Sequence, residues 1–291
     1  MKVFTREQWQ QRSLAHYDRV YAFAQEARKR AARREKHPIY DFLTKYYPFS
    51  LGKFEKWHPG FGVTLEDGDS ERFLEPRYTF TLSGACTLNP LALTDKERVR
   101  YQFILNLLEQ TQQQSPVYSC FGLHEWAMVY SGAEVRHRES APFRLPQQEI
   151  DSIVESRSLV CTHFDAFRFF APKAQTMNKH ILNLDDREAF EQPACIHANM
   201  DLYKWSFKLY PWIGSDFIWR CFQLALTARE IDMRASPYDL SEWGYEPICI
   251  ETDEGRKVYL AAQKALETEG KCLREELISQ ILEFLPKTSS L

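Results

Sequence analysis

Cys195-Ile-His-Ala-Asn-Met-Asp-Leu-Tyr-Lys-Trp-Ser-Phe-Lys-Leu209 and then Ser215-Asp-Phe-Ile-Trp-Arg-Cys-Phe-Gln-Leu-Ala-Leu-Thr-Ala-Arg-Glu-Ile-Asp-Met-Arg234 read as two consecutive helices, broken at Pro211 and Gly214. Outward from this pair, Leu273, Leu277, Ile281 and Leu285 make an apolar stripe on a terminal helix. A short helix is expected over 147–156. Another should run from Ser115-Pro116 through Tyr130, with Val117, Phe121, His124 and Met128 on one face. Thr94-Asp-Lys-Glu97 is a capping box that opens a helix carrying Tyr101, Ile104, Leu105 and Leu108, with 110–114 as a polar linker after it. Thr5-Arg-Glu-Gln8 opens the first helix in the same way, and Leu14, Tyr17, Tyr21 and Ala24 form its stripe. His37-Pro38 restarts the chain ahead of Phe42, Leu43 and Tyr46, and Ser50 caps a short helix through Trp57. Strands are expected at 63–66 and 77–82 about an Asp67-Gly68 turn, and at 247–252 before a turn at Asp253-Glu-Gly255. Residues 131–146 read as a loop. The sum is mainly α: a single helical domain over 1–291 with a few short strands, a minor α+β component in an insertion around 62–91.

The chain has 291 residues, 44% hydrophobic and 26% charged. That length buries most of the unfolded surface, so folding needs neither disulfides nor a metal. The 37 Lys and Arg against 40 Asp and Glu leave a formal charge of −3, which excludes the nonspecific pull of a strongly basic protein on nucleic acid but not a local basic patch. Arg28-Lys29-Arg30 with Arg33-Arg34 fits a helix C-terminus, where cations complement the dipole, or a phosphate-binding face. Gly 11 and Pro 14 are too few for a low-complexity chain. Residues 1–12 are polar, without the apolar region of a secretory signal, and no apolar run approaches the roughly 18 residues of a membrane span. Cys86, Cys120, Cys161, Cys195, Cys221, Cys249 and Cys272 are scattered and never spaced Cys-x-x-Cys, which argues against a zinc ribbon or disulfide scaffold. They fit reduced thiols in the cytoplasm.

Two short segments concentrate groups able to do chemistry: His163-Phe-Asp165-Ala-Phe-Arg168 and His197-Ala-Asn-Met-Asp201. On a helix His197 and Asp201 stand one turn apart on one face, so both can reach a single ion. His163 and Asp165 share a face if the segment is extended; otherwise Thr162 caps a helix there. Two histidines with one or two carboxylates are the ligand set of non-haem iron enzymes and also of hydrolytic zinc. The expected metal ligands are therefore His163, His197 and Asp201, with a divalent ion, iron ahead of zinc or manganese. Glu125, Asp165, Arg168 and Tyr203 are the expected catalytic groups, and His124, Trp126, Phe167, Asn199, Lys204 and Arg234 the substrate contacts. A hydrogen-bonded or exposed pair is the plainer account of either motif alone. The order His-x-Asp…His suggests a barrel-type iron oxygenase, but the chain has too few strand signals for a barrel.

Pro59-Gly60-Phe61-Gly62-Val63 is similar to the glycine hairpin that offers amides to a DNA phosphate, or it is an ordinary turn. The polar segment Arg234-Ala-Ser-Pro-Tyr-Asp239 either lines a pocket or caps and turns. No dinucleotide, Walker or nucleophile-elbow motif is present in the sequence.

Blocks spread over most of the chain resemble a bacterial family catalogued as 3-methyladenine DNA glycosylase. They are His37-Pro-Ile-Tyr-Asp-Phe-Leu43 with Tyr46-Tyr47, Trp57-His58-Pro-Gly60, Phe121-Gly-Leu-His-Glu-Trp126, His163-Phe-Asp-Ala-Phe-Arg-Phe-Phe170, His197-Ala-Asn-Met-Asp-Leu-Tyr-Lys204 and Asp232-Met-Arg-Ala-Ser-Pro-Tyr-Asp239. The resemblance implies excision of alkylated purines from DNA, with a flipped base held between aromatics. Asp165 or Asp201 would then stabilise the sugar cation or activate water. Three expectations result: a metal-dependent enzyme for a small or nucleobase-like substrate, a metal-free glycosylase acting on DNA, and a noncatalytic binding module.

Overall fold

The computed structural model describes residues 2–47, 49–68, 77–133 and 141–285. In chain order the elements are β1 (Lys2–Phe4), α1 (Arg6–Arg33), α2 (Tyr40–Lys45), α3 (Leu51–Glu55), β2 (Val63–Leu65), β3 (Tyr78–Phe80), β4 (Cys86–Leu88) and α4 (Asp95–Gln113). Then come α5 (Leu123–Met128), α6 (Gln147–Glu155), α7 (Phe164–Phe167), α8 (Pro172–Gln175), α9 (Arg187–Phe190), α10 (Ile196–Lys208), α11 (Ser215–Arg234) and α12 (Asp253–Phe284). The mainly α class is as expected, with one small sheet ordered β1-β2-β4-β3.

α10 and α11 pack on each other as the central pair, because the connection between them is too short for anything but neighbouring helices. α12 lies against α10, and α4 packs on α12 and α9. Arg274 of α12 is fully buried and donates to Asn199 Oδ1 of α10 at 2.7 Å and to Gln112 Oε1 of α4 at 3.0 Å. Gly270 lets the helices approach, since a Cβ there would stand 2.2 Å from Asn199 Oδ1. One apolar core gathers α1, α3, α4, α10–α12 and the sheet; a second gathers α5–α8 and the segment after α11. Leu226 and Ile231 of α11 pack against both. The functional groups described below sit where these two cores meet.

Both capping boxes form: Thr5 with Gln8, and Thr94 with Glu97. The face of α1 is another matter. Leu14 is 62% exposed and Tyr17 and Tyr21 also face solvent, while Trp9, Ser13, His16, Val20 and Ala24 are buried. Apolar character misplaced the phase because the buried face carries two polar residues. His16 is satisfied inside, with Nε2 donating to the Phe54 carbonyl at 2.8 Å and Nδ1 accepting from Arg19 at 3.1 Å. The basic end of α1 is paired in part: Arg28 with Glu55 and Arg30 with Asp41.

Other expectations are corrected. α2 begins at Tyr40, with the His37 ring accepting from the Ile39 and Tyr40 amides. α3 stops at Glu55. α4 continues through most of 110–114, so that stretch is helix and not linker. The Asp67-Gly68 turn does not join neighbouring strands, because β4 lies between β2 and β3. β1 pairs with β2 in parallel, a strand that three residues of sequence did not announce. Residues 247–252 form no strand; Ile248 and Ile250 are buried in the second core, and Thr252 caps α12, which starts at the supposed turn. Part of the 131–146 loop, 134–140, lies outside the described residues.

The glycine hairpin is packed, not presented. A Cβ on Gly60, where φ is +84°, would stand 2.6 Å from Gly214 N, and Phe61 N donates to the Trp212 carbonyl at 2.8 Å. The loop props the turn between α10 and α11, and the Phe61 amide is already spent there.

Candidate metal centre

The expected helix from Ser115 to Tyr130 is broken by left-handed backbone at Phe121 (φ +47°) and Gly122 (φ +74°), so α5 starts only at Leu123. Gly122 is required there, because a Cβ would meet Ala235 Cβ at 3.2 Å and the Tyr259 ring at 3.3 Å. This tight approach sets His124 against α11, where its Nε2 stands 2.5 Å from Asp232 Oδ1. Across α10, the His197 ring lies 4.6 Å from that of His124, centroid to centroid, nearly edge-on.

His124, His197 and Asp232 are all buried, and one potential ligand atom of each lies within 4.8 Å of the others. Among the described residues this is the group of histidine, cysteine and carboxylate ligands that converges on one point. His197 belongs to the ligand set read from the sequence; His163 and Asp201 do not enter the converging group, and His124 and Asp232 take their places. Asp232 gave one usable sequence signal. It continues the buried stripe of α11 through Cys221, Ala225 and Ala228, and a carboxylate on such a stripe must have a buried partner.

The surrounding charges are paired. Asp232 Oδ2 accepts from Arg229 Nη1 at 2.7 Å, and the same nitrogen donates to Glu125 Oε1 at 2.7 Å. Burial pushes the Glu125 carboxyl up, against the pull of Arg229. Glu125 thus backs Asp232 through a shared arginine. Burial disfavours charge on His124, yet Asp232 and then Cys120 lift its pKa well above the ordinary value. Burial and the His124 cation hold His197 well below it. Burial also works against the Asp232 anion, but His124 outweighs it and keeps that carboxyl well below its usual range. These directions favour charge on the His124–Asp232 pair and disfavour it on His197. A divalent ion can displace a proton from the pair, since ligation requires a deprotonated donor.

On its other side His124 Nδ1 lies 3.3 Å from Cys120 Sγ. Both imidazoles border a narrow cavity of about 10 Å³, which Cys120, Cys161, Cys195 and Gln263 also line. Every described cysteine is free, and burial drives the Cys195 thiol up to about 12.

His163 and Asp201 belong to an adjoining buried charge network. The His163 ring stacks on His197 at 5.5 Å, and its Nε2 lies 3.4 Å from Asp201 and 3.5 Å from Glu191. His163 is itself the residue preceding α7, which decides between the two readings of that segment in favour of the helix start, without Thr162 as cap. Asp201 accepts from Tyr47 at 2.7 Å and Arg187 at 3.2 Å, and is bonded to Lys204. Burial opposes its charge, but Lys204, His163 and Arg187 hold its carboxyl well below the usual range. Its ligand atoms do not join the group formed by His124, His197 and Asp232. Asp165 lies at the edge, bonded to Lys204 at 3.2 Å and paired with Arg168 and Arg187.

The remaining expected residues have structural roles or lie apart. Trp126 is fully buried and donates to the Ala235 carbonyl at 2.8 Å. Phe167 is in the second core, and Tyr203 is in the first, packed on Tyr47, Phe54 and Phe222. Asn199 holds Arg274 and the Pro193 carbonyl. Arg168 is near the surface. Arg234 pairs with Glu230 and lines a separate surface cavity with Tyr238 and Asp239. No helix among the described residues is long and apolar enough to cross a membrane. Compared with protein-family models, curated proteins and solved structures, the chain matches none.

Proposed function

We propose that the protein is a metal-dependent enzyme in which His124, His197 and Asp232 hold a divalent ion, iron(II) being the first candidate. The observation that carries this is the convergence of three buried ligand atoms from three separate elements, α5, α10 and α11. Two histidines and one carboxylate leave coordination positions open, the arrangement suited to a reacting ion and not to a structural one. The narrow cavity beside the imidazoles, about 10 Å³, is large enough for a single water-sized ligand and not for a nucleobase. Glu125 and Arg229 position Asp232, and the His163–Asp201–Glu191 network supplies polar groups beside His197. The test is elemental analysis of protein purified without chelator or histidine tag, with reconstitution by iron(II), zinc(II) or manganese(II). One ion per chain is expected, lost in folded His197→Ala. A chain that takes up no ion under any of these conditions refutes the reading.

A metal-free glycosylase is the competing proposal, supported by Asp165 at the partly open edge of an aromatic wall that includes Tyr46 and Phe169. It requires binding to alkylated duplex DNA at low salt, weakening steeply as salt rises. Absence of such binding removes it.

A further inference from the structure

A second cavity, of about 370 Å³, is lined by residues of α3, α4 and the end of α10, and by none of His124, His197 and Asp232. Its volume falls in the range of small-molecule sites. Four cations line it: Lys53 of α3, Arg77 ahead of β3, Arg100 of α4 and Lys208 of α10. Among the described residues one carboxylate, Glu97, lines it with them. Glu97 is buried, pairs with Arg77 and accepts from the Thr94 amide at 3.0 Å, which closes the capping box of α4. The wall therefore carries a surplus of three positive charges, on a chain whose formal charge is −3.

Arg100 and Lys208 are the two cations of this wall that the described residues leave without a carboxylate. Arg100 donates to the Tyr101 hydroxyl at 3.4 Å, and Lys208 stands 5.1 Å from the centre of the Trp205 ring. Neither contact neutralises a charge. Partial burial and then the Lys204 cation, with Arg187 and Arg100, lower the Lys208 pKa against the pull of Asp201, as expected where like charges crowd together. We propose that this cavity binds a small molecule carrying a diphosphate or two phosphate groups, with Arg100 and Lys208 as its main contacts. Phosphate is favoured because several charges fall within a few atoms, matching cations contributed by three separate elements, and because arginine grips its oxygens in pairs. The remaining space borders Phe49 and Phe207, whose rings stack at 4.2 Å and give the organic part of the ligand an apolar wall. This site is independent of the metal reading.

The test is calorimetric titration of the full-length chain with pyrophosphate at low salt. Binding with Kd tighter than about 1 mM is expected, weakening as salt rises because the cations are partly open to solvent. Lys208→Gln and Arg100→Gln should each weaken it about tenfold, the loss of one charge-assisted contact. Lys271→Gln removes an exposed positive charge of α12 outside the cavity and should leave affinity unchanged, as should His197→Ala. No binding overturns the proposal, and so does an equal loss in Lys271→Gln, which would make the attraction one of overall charge. Affinity lost in His197→Ala but kept in Lys208→Gln places the anion at the metal centre and also overturns it. Citrate binding as tightly as pyrophosphate overturns the phosphate assignment. A short DNA duplex that displaces pyrophosphate at lower concentration, and depends on the same two cations, overturns the small-molecule assignment.

Discussion

Asp232→Asn is the most informative single substitution. The carboxylate is fully buried and compensates two donors, His124 Nε2 at 2.5 Å and Arg229 Nη1 at 2.7 Å. Asparagine has nearly the same shape but keeps only one acceptor oxygen, and its amide nitrogen then faces a donor. Breaking a buried ion pair by removing one partner costs about 3–5 kcal/mol. Glu125, also 2.7 Å from that arginine nitrogen, continues to compensate Arg229. The expected loss is therefore at the lower end, about 3 kcal/mol. In a chain of this size that lowers Tm by about 6–12 °C, at 2–4 °C per kcal/mol. The variant also forfeits stabilisation by the ion, about 2.7 kcal/mol when free metal is a hundredfold above Kd. Urea unfolding followed by circular dichroism, first with chelator and then with the reconstituting metal, separates the two contributions. A variant within about 1 kcal/mol of the native chain in chelator, and gaining as much from metal, would refute both roles assigned to Asp232.

On α1, Val20→Ala is expected to cost about 2 kcal/mol and Leu14→Ala less than about 0.5 kcal/mol, because only Val20 is buried; equal costs by urea unfolding would put the helix in the other phase. Gly270→Ala should destabilise by about 1–3 kcal/mol, since its Cβ would displace Asn199 from Arg274, and an unchanged Tm would contradict the close α10–α12 contact. Glu251 accepts two hydrogen bonds from Arg144 at 2.6 and 2.7 Å; burial alone would raise its carboxyl, but Arg144 outweighs burial and lowers it. The folded pKa lies below the unfolded value, so this contribution is complete above the usual carboxylate range and is lost as pH falls through the folded pKa. Native protein should therefore lose about 1 kcal/mol more than Glu251→Gln on acidification to about pH 3, the figure being kept small by partial exposure. The same acid sensitivity in both would show that the pair contributes nothing.

Sequence alone determined what is encoded within a few residues. The capping boxes at Thr5 and Thr94, the α10–α11 break and the Ser215–Arg234 helix follow from neighbours three or four positions apart, where backbone propensity and side-chain caps act without help from the rest of the chain. His197 was legible for a similar reason, as a titratable group among aromatics. Tertiary structure decided what depends on distant partners. The inward face of α1 follows from His16 meeting Phe54, and the brief strand β1 exists only because β2 lies beside it. The α5 start follows from Gly122 being pressed between Ala235 and Tyr259. The centre itself is the clearest case. Asp201 shares a helix with His197, but Lys204, Arg187 and Tyr47 claim its oxygens, while Asp232, distant in sequence, is carried to His124 by the packing of α5 against the end of α11. Spacing along one helix shows which side chains can meet, and the packing of helices determines which carboxylate reaches which histidine: Asp201 lies beside His163 and Asp232 beside His124.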